Sequence, residues 1–171
     1  MGGRRVVTVD EPSVRALQAP TVYRFPRSGE GFLSWSDVEG RLTEAKNYWL
    51  ATVRPDGRPH VTPLWGVWVD RGLYFDGLPT TRWGRNLATN PHAAVHLESA
   101  DDVVILDGRV EDLETTSAEL GGRVVQAWRA KYGRLEPEPV TSGIFRLRPH
   151  SVRAFTGSLD RGCVWQLEAP E

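Results

Sequence analysis

The sequence predicts a mainly β, α+β domain in which short antiparallel strands close into a barrel and a few short helices cover its ends. Three observations carry that expectation. Apolar residues recur at every second position in short runs, several runs are apolar on both faces, and tight turns such as Pro55-Asp-Gly57 and Asp70-Arg-Gly72 separate them. Little helical pattern remains to cover an open sheet, and a closed barrel is how such strands hide their edges.

Taken in order, residues 1–33 hold Pro12, Pro20, Pro26, Gly29 and Gly31 with no sustained apolar period, and are read as a partly flexible extension. From 34 the period becomes helical: Ser34 or Ser36 can cap a helix carrying Trp35, Val38, Leu42 and Ala45 on one side, ending near Asn47. Tyr48–Val53 and His60–Val69 then form two strands around Arg54-Pro-Asp-Gly57, where proline presets φ and glycine accepts φ > 0. Leu73-Tyr-Phe75 completes a three-strand meander after Asp70-Arg-Gly72. A short helix over 81–88 stops before Asn90-Pro91, because the residue preceding proline is pushed out of helical space. His92–Glu98 and Val103–Leu113 pair around Ser99-Ala-Asp-Asp102. A helix capped by Thr115 or Thr116 runs to Tyr132-Gly133, and Gly143–Thr156 alternates as a last strand. The barrel domain therefore spans 34–156, with 157–171 as a C-terminal tail.

At 171 residues and 40% apolar content, the chain can build one core and is too short for two ordinary domains. No window approaches the ~20 apolar residues of a membrane helix, and Met1-Gly-Gly-Arg-Arg5 leads into polar sequence rather than a signal-peptide core. A soluble, cytoplasmic protein without a membrane contact is expected. Cys163 stands alone, which excludes an internal disulfide or a multi-thiolate metal site. A net charge of −1 speaks against a nucleic-acid binder, so the expected partner is a small molecule. Seven tryptophans are a heavy load for this length, and serve a core, an interface or a planar ligand.

Local catalytic motifs are absent: no Gly-x-Ser-x-Gly, no Walker loop, no Gly-x-Gly-x-x-Gly and no His-Glu-x-x-His. No catalytic side chain and no metal ligand is assigned. His92 and His96 are four apart on a strand, roughly 13 Å, too far to share one metal. Asp101 and Asp102 sit on a hairpin tip, where solvated carboxylates are the rule. Thr80-Thr-Arg-Trp-Gly-Arg-Asn-Leu87 is different. It places Thr80, Thr81, Arg82 and Arg85 at a helix start, where free backbone N–H groups and the helix dipole favour an anion and arginine adds bidentate pairing to phosphate.

Leu50-Ala-Thr-Val-Arg-Pro-Asp-Gly-Arg-Pro-His-Val-Thr-Pro-Leu-Trp65, followed by Leu73-Tyr-Phe75, Thr81-Arg82, Arg85-Asn86-Leu87 and Asn90-Pro91, resembles the pyridoxamine 5'-phosphate oxidase-like family of flavin and deazaflavin oxidoreductases across about residues 35–156. The resemblance implies a split β-barrel of the FMN-binding type with Greek-key connections, acting as a homodimer with the cofactor at the subunit interface. It places Val61, Thr62, Pro63, Leu64 and Trp65 along the isoalloxazine, with backbone N–H groups of 62–66 toward its pyrimidine edge. Thr80, Thr81, Arg82, Arg85 and Asn86 are the implied phosphate ligands. The implied cofactor is FMN, or alternatively the deazaflavin coenzyme F-420, whose longer acidic tail would need further cations such as Arg54, Arg58 and Arg146. The implied function is hydride or electron transfer between that cofactor and a small organic substrate. A non-catalytic flavin-binding module is the alternative, as is a haem-binding split barrel using His60, His92 or His150. Authentic pyridoxamine phosphate oxidases end in a basic and histidine motif for the substrate phosphate. Arg146-Leu-Arg-Pro-His150 does not match it, so a vitamin B6 substrate is not expected.

Overall fold

A computed structural model describes residues 11–167. The first ten residues of the extension and the last four of the tail lie outside this range.

Strand formation follows the alternation. β1 is Ser13–Arg15, β2 Tyr48–Val53, β3 Pro59–Leu64, β4 Val67–Val69, β5 Gly72–Phe75, β6 His92–His96, β7 Asp102–Leu113, β8 Ile144–Thr156 and β9 Gly162–Gln166. The helices are α1 Trp35–Glu44, α2 Arg82–Thr89 and α3 Ala118–Tyr132. Each helix starts on a side chain that satisfies an orphan backbone donor. Ser34 Oγ accepts from Asp37 N–H, Thr81 Oγ1 from Gly84 N–H, and Ser117 Oγ from Leu120 N–H. The cap of α3 is thus Ser117 rather than Thr115 or Thr116, and Gly133 closes that helix at φ 63°.

The antiparallel order is β1-β9-β8-β7-β6-β2-β3, with the β4–β5 hairpin joined through β5 to β8. β8 is the spine. β7 runs along one of its edges, while the other edge is shared: residues 145–147 pair with β5 and residues 151–155 pair with β9. Both segments read as extension and tail therefore add strands to the sheet, β1 on β9 and β9 on β8.

The expected continuous strand His60–Val69 is two strands, and the meander does not form. β3 pairs with β2, β4 pairs with β5, and Trp65-Gly66 separates them. The cause is a long-range contact: Gly66 N–H donates to Tyr132 Oη at 2.9 Å, and the same hydroxyl reaches the carbonyls of Gly66 at 3.0 Å and Lys46 at 2.8 Å, so a side chain of α3 satisfies backbone that a ladder would otherwise pair. The sheet consequently stays open between β3 and β4, which is the split form of the barrel.

Two apolar clusters result. The main one fills the barrel with Leu50, Leu73, Phe75, Val95, Leu106 and Leu147 among others, closed at one end by Trp35, Val38 and Leu42 of α1 and at another by Trp83 and Leu87 of α2. A second packs Val124 and Trp128 of α3 on Val67, Tyr74 and Ile144. Among the described residues no helix is long and apolar enough to cross a membrane.

Candidate functional site

The β2–β3 hairpin forms where Pro55-Asp-Gly57 reverses the chain, with Gly57 at φ 81°. Arg54 N–H donates to the Arg58 carbonyl at 2.9 Å, so alternation makes Thr52–His60, Leu50–Thr62 and Tyr48–Leu64 the hydrogen-bonded pairs. Pro59, Val61 and Pro63 then turn their backbone away from β2. Proline is tolerated there because no donor is required of it. β3 is thus a sheet edge presenting three carbonyls and one N–H, that of Val61. The donors of Thr62 and Leu64 are spent on β2 and that of Gly66 on Tyr132. Within β3 the outward donor is the Val61 N–H.

The five strand residues singled out from sequence divide between surfaces. Val61, 51% exposed, and Pro63 lie on the outer face, opposite Ala51 and Trp49, whose ring stacks on His96 at 6.4 Å. Thr62 and Leu64 face the barrel side and are half-buried. Trp65 leaves the strand altogether. Its ring stacks on Tyr132 at 4.7 Å with an interplanar angle of 10°, and the Arg134 guanidinium lies 5.1 Å from its centroid. Trp68 and Trp165 are buried in the main core.

The second half of the site is the start of α2. Thr81 is its N-cap, and Arg85 folds back to donate from its guanidinium to the Thr80 carbonyl. Arg82 is exposed, and no acidic residue lies in the first turn. The N–H groups of Arg82 and Trp83 have no intrahelical acceptor, so charge, dipole and donors all favour an anion here. Gly84 lets the preceding loop approach: a Cβ there would stand 2.5 Å from the Pro79 carbonyl oxygen. Asn86 points the other way. It is 1% exposed, and its amide donates to Thr52 Oγ1 at 3.0 Å.

That buried pair connects the two halves. Thr52 lies opposite His60, and its hydroxyl reaches the His60 carbonyl at 3.5 Å, so Asn86, Thr52 and β3 form one row from helix to edge strand. Thr52 was missed from sequence, although a polar residue on the apolar face of Tyr48 and Leu50 was a visible signal. Beside this row, Arg54 Nε and His60 Nδ1 are buried without a hydrogen-bond partner. Buried polar atoms of this kind call for a partner, an acceptor in the case of Arg54 Nε, and an oxyanion-bearing, heteroatom-rich cofactor would supply one. Of the other cations considered for an acidic tail, Arg58 is held by Asp56, and Arg146 together with Arg148 donates to Glu111 Oε2 at 2.6 to 2.9 Å. Arg54 alone among them is unengaged at its Nε.

The histidines do not converge. His92, His96 and His150 are exposed, and no group of three or more His, Cys, Asp or Glu among the described residues is placed to hold a metal.

Known proteins share the sequence pattern and the fold. The family model for pyridoxamine 5'-phosphate oxidase matches residues 36–156. A pyridoxine/pyridoxamine 5'-phosphate oxidase of Cupriavidus necator is 31% identical over 163 residues, covering 76% of each chain. Among solved structures, the conserved hypothetical protein Rv2991 of Mycobacterium tuberculosis superposes with a TM-score of 0.60 at 20% identity, covering 78% of this chain and 91% of its own. An F420 reductase superposes with a TM-score of 0.52 at 25% identity, covering 67% and 94%.

Proposed function

Because this chain belongs to the pyridoxamine 5'-phosphate oxidase family, we propose that it is a flavin- or deazaflavin-dependent oxidoreductase, active as a homodimer, that exchanges hydride or electrons with a small organic substrate. The observation that carries this reading is the acid-free, arginine-bearing start of α2 tied through Asn86 and Thr52 to the open edge of β3. FMN is the proposed cofactor and coenzyme F-420 the alternative, the latter in line with the similarity to an F420 reductase.

When bound, the ring supplies the hydride chemistry itself, which leaves the protein to bind, orient and exclude water. Thr80, Thr81, Arg82 and Arg85 hold the phosphate, while Asn86 fixes the helix that carries them. The Val61 N–H and the carbonyls of Pro59, Val61 and Pro63 would be the polar groups of β3 open to the ring, with Thr62, Leu64 and Trp65 as its walls. The second copy covers the outer face, where Val61 and Val53 are exposed next to Trp49 and Ala51. Arg146 and Arg148 share the single carboxylate of Glu111, and Arg146-Leu-Arg-Pro-His150 does not match the basic and histidine motif for a substrate phosphate, which favours a substrate other than a pyridoxamine phosphate ester.

Sedimentation at micromolar concentration is expected to give a dimer. Protein loaded with FMN or with F-420, reduced anaerobically and then mixed with quinone or nitroaromatic acceptors, is expected to reoxidise faster than free cofactor. A monomer speaks against the interface site. Uptake with no acceleration for any acceptor would make the chain a non-catalytic binding module.

A further inference from the structure

At the end of the β3 edge the chain is held by a cation. Lys131, in the last turn of α3, donates from Nζ to the Ala45 carbonyl at 2.8 Å, to Tyr48 Oη at 2.8 Å and to the Gly66 carbonyl at 3.2 Å. All three ammonium donors are used, and the acceptors come from the α1–β2 link, β2 and the β3–β4 break. The neighbouring Tyr132 bonds both the carbonyl and the N–H of the same glycine and stacks on Trp65. Trp128 packs against Tyr132 at 4.9 Å, and its Nε1 donates to the Arg134 carbonyl, holding Arg134 over Trp65. Gly66 leaves little room to shift, since a Cβ there would stand 2.9 Å from the Tyr74 carbonyl oxygen.

We propose that Lys131 is a positioning residue: with Tyr132 it clamps Trp65-Gly66, and so sets the shape of the β3 edge that receives the cofactor ring. The idea rests on the cofactor reading above, but the clamp itself is a property of the free protein. Burial pushes the Lys131 ammonium down to about 8. Among the described residues the ionisable side chains touching it are Tyr48 and Tyr132, both pushed above their ordinary value by burial, so neither titrates in the same range. Losing its proton converts one donor into a lone pair, so either one of the three contacts breaks or the Tyr48 hydroxyl turns from the Leu42 carbonyl to donate to the amine, and the clamp rearranges in both cases.

The test uses the whole chain. Tryptophan emission of the free protein, followed from pH 6 to 10, is expected to show a step near 8 that vanishes in Lys131→Met and shrinks in Trp65→Phe. FMN titration of Lys131→Met at pH 7 is expected to show about tenfold weaker binding, and Tyr132→Phe, which keeps the stack but loses the hydroxyl, a smaller loss. A step that survives in Lys131→Met overturns the clamp. So does a Lys131→Met protein that melts earlier yet binds FMN as wild type does. If wild type retains neither FMN nor F-420, the cofactor reading has failed, and the emission step in the free protein alone decides whether Lys131 governs Trp65.

Discussion

Replacing Arg82 by alanine is expected to weaken FMN binding tenfold or more while leaving riboflavin binding close to wild type. The side chain is exposed at the first residue of α2, so its removal leaves no cavity and no buried group unpaired. Stability should change by no more than about 0.5 kcal/mol. A charge-assisted hydrogen bond to phosphate is worth roughly 1.5–3 kcal/mol, and each 1.4 kcal/mol is a decade in affinity. Riboflavin lacks the phosphate and so serves as the control for ring binding. Titrating both ligands against both proteins separates the cases. Equal losses for the two ligands, or none for FMN, would show Arg82 to be an ordinary surface arginine. The same substitution should weaken F-420 binding, because that cofactor also brings a phosphate to the helix start.

The second large effect is on the fold. Gly108→Ala is expected to lower stability by about 3 kcal/mol, the upper end for forcing an extra group into packed surroundings, which for a chain of this size lowers Tm by roughly 6–12 °C. Gly108 sits where the β7–β8 register shifts, with Asp107 opposite Ser151 and Gly108 opposite Pro149. A Cβ there would strike the Arg148 carbonyl oxygen and stand 2.7 Å from Pro149 Cα, both backbone atoms that no rotamer change can move. The bulge allows β8 to bend so that it meets β5 with one half and β9 with the other. Thermal melting of the variant checks this, and a Tm within 2 °C of wild type would mean that the bulge relaxes without loss.

Both effects lie at positions of different visibility in the sequence. The start of α2 could be read in advance, since Thr81 as a cap, two arginines and no acid make a local pattern. The hairpin at Pro55-Asp-Gly57 was equally plain, because it depends on residues adjacent in the chain. What could not be read depends on contacts distant in sequence. The run from His60 to Val69 alternates as one strand, and only Tyr132, 66 residues beyond Gly66, breaks it. Asn86 belonged to the right segment, but its side chain is directed inward by Thr52, 34 residues earlier. β1 and β9 escaped notice because a three-residue and a five-residue strand carry too little alternation to stand out from a proline-rich extension and a short tail. Lys131, one of two lysines in the chain, has no local signal at all.

The most direct test of the central claim is the absorption spectrum of the purified chain after incubation with FMN, F-420 and haem in separate samples and removal of free ligand. A phosphate-bearing flavin or deazaflavin held by α2 and β3 predicts a retained chromophore near one per subunit, seen as a flavin doublet or a single deazaflavin band, shifted from that of the free cofactor. A Soret band retained with haem and no chromophore with either of the other two would contradict it.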